Sequence, residues 1–205
     1  MTITLAPWHV GYEKHLVGSV YAAAPGLRTQ AAEALVAAGI AVHVDVMAPD
    51  EGLPVGVTLD ELDELAAIVP RDMLGVHLVG SVDGVRAMLP RIPDVGDLYV
   101  PLGTPGIGSS RVWAAVWDEV DEASASTVDL TGYDGVLLML LEPGTSGVAD
   151  PDRLSIATAL ARRIDVTLDG GVTEHLMPAC LSTGASTAVV GRALILDSPL
   201  PEGHS

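Results

Sequence analysis

Short apolar runs recur along this chain at intervals, and Ala- and Leu-rich stretches separate several of them; no other feature narrows the possible folds as far. The runs are LVGSVY (16–21), AVHVDVM (41–47), MLGVHLV (73–79), DLYVP (97–101), VWAAVW (112–117), GVLLMLL (135–141), IDVTLD (164–169) and STAVVG (186–191). Helical composition lies between them at 27–38, 59–68, 82–89, 150–163 and 173–183. Parallel strands are covered on both faces by their crossover helices, so they read as nearly continuous apolar segments, and strands alternating with helices mark βα units. The spacing predicts the α/β class and, within it, a (β/α)8 TIM barrel with its chemistry at the C-terminal strand ends. Two departures from the regular pattern are expected. The link LGTPGIGSSR (102–111) is too short and too rich in Gly and Pro for a full helix, which shortens the connection between strands 4 and 5. The chain also stops soon after the eighth strand, which predicts a truncated C-terminal helix. A doubly wound open sheet is the rival fold, but AAAPG follows the first strand where such a fold carries a GxGxxG turn.

At 205 residues the chain fits one domain, since barrels commonly fill this length without dividing. Residues 1–15 are expected to be an N-terminal extension to a single catalytic barrel over 16–205. The formal net charge of -17 disfavours a phosphate backbone or an anionic bilayer, so neither nucleic acid nor membrane is an expected partner. The lone cysteine, Cys180, excludes an internal disulfide and fits a reducing cytosol. The opening MTITLAPWHVGYEK lacks the basic start and long apolar segment of a signal peptide, and GVLLMLL is too short to span a bilayer. A cytoplasmic location follows as an expectation. A barrel missing a helix would expose an apolar flank, so a homo-oligomer is expected.

The second strand poses a chemical problem, because a buried carboxylate must be paired, metal-bound or protonated. With side chains alternating in direction, His43, Asp45 and Met47 share one face while Val42, Val44 and Val46 pack outward. His77 lies inward on the third strand and Asp169 inward at the end of the seventh. Two imidazoles and two carboxylates at one barrel mouth make a plausible set of ligands for one divalent ion, zinc, manganese, iron or cobalt.

At these residues the sequence resembles the ribulose-phosphate 3-epimerase family. HVDVM is similar to that family's second-strand signature, VHL to its third-strand histidine, MLLEPGTSG to its sixth strand and phosphate loop, and LDGGVT followed by GASTAVVGRAL to its last two units. VGSVYAAAPGL is similar to its opening strand, with Ser19 at the place of a substrate-contacting serine. The resemblance runs from about residue 16 to 195 and implies one metal held by His43, Asp45, His77 and Asp169. It also implies that Asp45 and Asp169 exchange protons with a phosphorylated ketose, converting D-ribulose 5-phosphate to D-xylulose 5-phosphate through an enediolate.

The chemistry itself asks for two carboxylates. Inverting a carbon beside a ketone removes a weakly acidic proton from one face and returns one to the other. Met47 and Met139, inward on their strands, would cap the planar intermediate, although taken without that context either residue is more readily a core filler. The resemblance places the phosphate against Gly144, Gly147, Gly170 and Gly171. Glu142 stands at a usual asparagine, Ser146 at a usual glycine, Arg192 at a usual serine and Ala48 at a usual acid. Arg192 can grip a phosphate, whereas Glu142 repels one. These changes leave open an epimerase of another ketose in a specialised pathway, or an inactive barrel that binds metal or sugar phosphate. A Schiff-base aldolase needs a lysine inside the barrel, and the only lysine is Lys14, ahead of the first strand. A related decarboxylase wants an Asp-x-Lys-x-x-Asp pattern where GVHLVGS stands.

Overall fold

The computed structural model describes residues 2–49, 51–104, 108–145 and 147–198. A short strand β1 (Thr2–Leu5) precedes β2 (Leu16–Ser19), which begins the barrel. Six more strands follow: β3 (Ala41–Met47), β4 (Leu74–Val79), β5 (Asp97–Pro101), β6 (Arg111–Val116), β7 (Gly135–Met139) and β8 (Asp165–Asp169). Last in the barrel is β9 (Thr187–Val190), and β2 to β9 close in sequence order with every neighbouring pair parallel. The eight-stranded barrel read from the sequence is therefore the observed fold.

Helices α1 (Arg28–Ala37), α2 (Leu59–Ile68), α3 (Val82–Met88), α4 (Leu154–Leu160) and α5 (Met177–Ser182) cover the outside. α2 starts at a capping box in which the Thr58 side chain accepts from the Glu61 amide and the Glu61 carboxylate accepts from the Thr58 amide. Two helices are shorter than composition suggested. The stretch predicted as helix over 150–163 opens with a 3₁₀ turn, Pro151–Arg153, capped by Asp150, and the one predicted from 173 begins only at Met177.

A ribbon strand takes the place of the truncated C-terminal helix expected after β9. Leu194 and Ile195 both donate backbone bonds to the Gly191 carbonyl, closing one turn, and the chain then extends as β10 (Ile195–Ser198). β10 pairs antiparallel with β1, Ile3 and Ile195 are buried in the outer core, and the Trp8 indole donates to the Ala193 carbonyl at 2.9 Å. A few β-favouring residues near each end thus pair with each other, and the described residues after β9 hold no α-helix.

The links 102–110 and 117–134 carry no α-helix among the described residues. Even so, Leu98, Val100, Val112, Ala114 and Val116, the outward side chains of β5 and β6, are all buried. Val120, Ala125 and Leu130 from the irregular segment join them in the outer core. The bare apolar flank that motivated an oligomer is therefore already covered by the chain's own coil.

Inside the barrel, Val17, Tyr99, Trp113, Ala115, Leu137, Met139 and Val189 form a separate core. Two glycines, one on β4 beside β5 and one on β7 beside β6, make room for its large rings. A Cβ on Gly75 would lie 2.9 Å from the Tyr99 ring, and one on Gly135 would strike the Trp113 ring. The Trp113 indole is satisfied by Asp97 at 2.7 Å. These rings thus occupy the middle of the barrel, and the polar cluster lies above them.

Candidate metal and catalytic site

Strand register assembles the polar cluster. β3 sends His43 and Asp45 inward two residues apart; Ser19 of β2 pairs with His43, and His77 of β4 pairs with Asp45. Asp169 ends β8 beside Met139 of β7. Asp45 Oδ1 lies 3.2 Å from both His43 Nε2 and His77 Nδ1, and Ser19 Oγ donates to Asp45 Oδ2 at 3.0 Å. Asp169 Oδ2 lies 3.7 Å from His43 Nε2 and 3.9 Å from His77 Nδ1. The histidines are buried, while the Asp45 and Asp169 side chains each keep 14% exposure, enough to meet a ligand from above.

These groups fit a divalent cation. One ligand atom from each of the four residues lies within 4.8 Å of all the others. Tetrahedral ligands about 2.0–2.2 Å from zinc stand roughly 3.3–3.6 Å apart, close to the separations found here. The donor set, two imidazole nitrogens and two carboxylate oxygens, suits zinc, manganese, iron or cobalt; four ligands close a tetrahedral ion, so a position for substrate requires five- or six-coordination. β3 and β8 have β9 and β2 between them on one side, so the two carboxylates approach the cluster from separate walls.

The environments of the two carboxyls differ. Burial pushes Asp45 up, but the adjoining His43 and His77 outweigh it and hold the group well below the usual carboxylate range. Burial also pushes Asp169 up; His43 and His77 oppose that, the Asp45 charge adds to it, and the net shift is upward. Burial would strip His43 of its proton, yet the charge and hydrogen bond of Asp45 prevail and raise its pKa. Without a cation the cluster therefore favours an ionised Asp45 beside an Asp169 that tends to keep its proton.

A cavity of about 920 Å³ opens above the cluster. Ser19, Asp45, Met47, Met139, Gly144, Gly147, Asp169, Gly170, Gly171 and Arg192 all line it, as does Glu142. His43 and His77 lie beneath; Ser146 falls outside the described residues. Among the described residues, none between Pro54 and Met139 lines the cavity. The segments after β3 and β7 come together at the mouth, where a Cβ on Gly144 would sit 3.3 Å from Pro54 Cδ.

The glycines at the β8 end have a second duty that sequence reasoning did not assign. Gly170 and Gly171 have φ of 107° and 67°, and Cβ atoms there would lie 2.7 Å from Leu141 Cβ and 2.5 Å from the Ala149 nitrogen. They seat the segment after β7 against the β8 turn while their backbone lines the cavity. Gly171→Ala is expected to cost about 1–3 kcal/mol through left-handed strain and collision, measured by urea unfolding.

Two aromatic residues also escaped notice in the sequence. Tyr99 packs beneath the cluster, its ring centroid 5.2 Å from that of His43 and 6.4 Å from that of His77. Tyr21 lines the cavity wall. The period-two pattern of DLYVP would have turned Tyr99 inward, whereas Tyr21 lies in the turn after β2 and carries no such signal.

No protein-family model matches the sequence, and no curated protein matches it. Among solved structures the chain is similar to N-(5'-phosphoribosyl)anthranilate isomerase from Pyrococcus furiosus, at TM-score 0.58 and 12% identity over 87% of this chain and 88% of that one. It is similar to phosphoribosyl anthranilate isomerase from Thermus thermophilus, at TM-score 0.58 and 13% identity over 87% and 88%. It is also similar to thiamine phosphate pyrophosphorylase from Bacteroides thetaiotaomicron, at TM-score 0.52 and 14% identity over 87% and 82%. These are TIM-barrel enzymes and none is a ribulose-phosphate 3-epimerase; at such identities the likeness shows the fold. No helix among the described residues is long and apolar enough to cross a membrane.

Proposed function

We propose that this chain is a metal-dependent 3-epimerase of a phosphorylated ketose, interconverting D-ribulose 5-phosphate and D-xylulose 5-phosphate. The observation that carries the proposal is the convergence of two carboxylates and two imidazoles at the C-terminal mouth of the barrel, beneath a cavity large enough for a sugar phosphate. The ordered motifs shared with the epimerase family support the same reading, and the barrel neighbours include enzymes named for phosphoribosyl and thiamine phosphate substrates.

Asp45, ionised and steered by Ser19, removes the C3 proton from one face; Asp169, in its protonated state, returns one to the other. The roles exchange in the reverse reaction. His43, Asp45, His77 and Asp169 would hold a single divalent ion, whose charge stabilises the negative charge that develops on the ketone oxygen. Met47 and Met139 cover the flat intermediate with apolar surface and keep water from reprotonating it at random.

The phosphate end is assigned to Arg192, the one cationic residue lining the cavity among the described residues, with the backbone of Gly170 and Gly171 beside it. Charge-assisted contacts of this kind contribute about 1.5–3 kcal/mol, so Arg192→Ala should raise KM for the phosphorylated ketose roughly 10- to 100-fold with little change in kcat. An unchanged KM in steady-state kinetics would move the anion elsewhere. Glu142 on the same cavity favours a second reading, the same chemistry on a different ketose, because a carboxylate repels a phosphate and accepts hydrogen bonds from hydroxyl groups.

The deciding experiment loads the protein separately with zinc, manganese, iron(II) or cobalt and incubates it with ribulose 5-phosphate in deuterated water. Deuterium at C3 together with xylulose 5-phosphate is the expected result. Metal binding without exchange would identify a barrel that only binds, and exchange confined to another ketose would favour the second reading.

A further inference from the structure

Among the described residues, Arg28 is the only arginine, lysine, aspartate or glutamate buried as a whole, at 6% exposure. It is also the first residue of α1, where the helix dipole disfavours positive charge. Its Nε is buried without a hydrogen-bond partner. A cation kept against burial, dipole and an unmade bond calls for a compensating role.

Its contacts converge on one wall of the cavity. Arg28 donates to Glu61 Oε2 at 2.9 Å and to the Gly56 carbonyl at 3.4 Å, and its guanidinium lies 5.8 Å from the centre of the Tyr21 ring. Glu61 closes the capping box of α2, so the ion pair anchors the guanidinium to a fixed helix end. Gly56 rests directly on β3: a Cβ there would stand 2.7 Å from the Asp45 carbonyl oxygen and 2.9 Å from Met47 Cγ. The next residue, Val57, donates its amide to that same Asp45 carbonyl at 2.9 Å.

We propose that Arg28 is a positioning residue that clamps the Gly56–Val57 turn onto the Asp45–Met47 stretch of β3 and backs Tyr21, fixing the cavity wall on that side. Its kinetic consequence rests on the epimerase reading; its structural consequence does not.

R28M keeps the length and apolar bulk of the side chain. Glu61 is 27% exposed and stays bonded to Thr58, so the substitution strands no buried charge, and the variant should melt near the wild-type temperature. The Val57 amide should exchange with solvent about tenfold faster or more by NMR, while Leu138 and Leu168 on β7 and β8 keep their rates. KM for the ketose should rise about tenfold, with kcat changed less. G56A, which pushes the same turn off β3 with Arg28 intact, should reproduce the rise in KM. Unchanged Val57 exchange in R28M, or equal acceleration at all three amides, would overturn the clamp, as would a KM shift in G56A that R28M lacks. Should R28M not fold, R28K is judged by the same exchange comparison. If no ketose is epimerised by the wild type, the exchange rates alone decide.

Discussion

Asp169→Asn should fold, melt at or above the wild-type temperature and have turnover reduced by about 10³-fold or more. Asparagine matches aspartate in size and still accepts a hydrogen bond, but it cannot take or give the proton that epimerisation moves, and acid–base groups typically contribute 10²–10⁴-fold. Stability should not suffer, because burial and the nearby Asp45 charge already make the ionised form of Asp169 unfavourable, and a neutral amide relieves that repulsion. Epimerisation assays paired with thermal melts check both halves. Full activity in the variant would reject the division of labour between two carboxylates; a collapsed fold would assign Asp169 to stability.

Metal affinity should fall steeply in acid, by roughly one to two powers of ten per pH unit, because binding displaces protons from the ligands. The sign follows from the cluster. His43 has a raised pKa, so it stays protonated to higher pH than a free imidazole and must lose that proton before it can ligate. Asp169, also raised, adds a second competing proton, whereas Asp45, held low by His43 and His77 against burial, adds none near neutrality. Affinity is thus full above these transitions and lost as pH falls through them. Titration calorimetry with zinc or manganese between about pH 5 and 8 measures the slope, and a flat profile would place the ion away from these histidines.

Much of the arrangement was legible in the residues alone. Parallel strands buried on both faces write themselves as apolar runs, so all eight barrel strands stood out, and a period of two was enough to turn His43, Asp45, His77 and Asp169 to the same side. The ribbon of β1 and β10 was not legible, since four residues at either end of the chain pair only through a long-range contact that no local pattern announces. Gly170 and Gly171 read as loop chemistry, but their tight packing on Leu141 and Ala149 depends on where another segment returns. Arg28 looked like an ordinary helix residue, because nothing in its own neighbourhood reveals that Gly56 and Glu61 come back to meet it.

The contact of Pro54 with Gly144 has a consequence for how this barrel can vary. It belongs to a working arc, built from the ends of β2, β3, β7, β8 and β9, which faces an idle arc over β5 and β6 where no described residue lines the cavity; β4 stands between them and sends His77 to the cluster from beneath. The connections after β5 and β6, which have no α-helix among the described residues, belong to the idle arc. Sequence drift, insertion or trimming there should leave the proposed chemistry untouched, because the connections without an α-helix lie away from the residues that line the cavity.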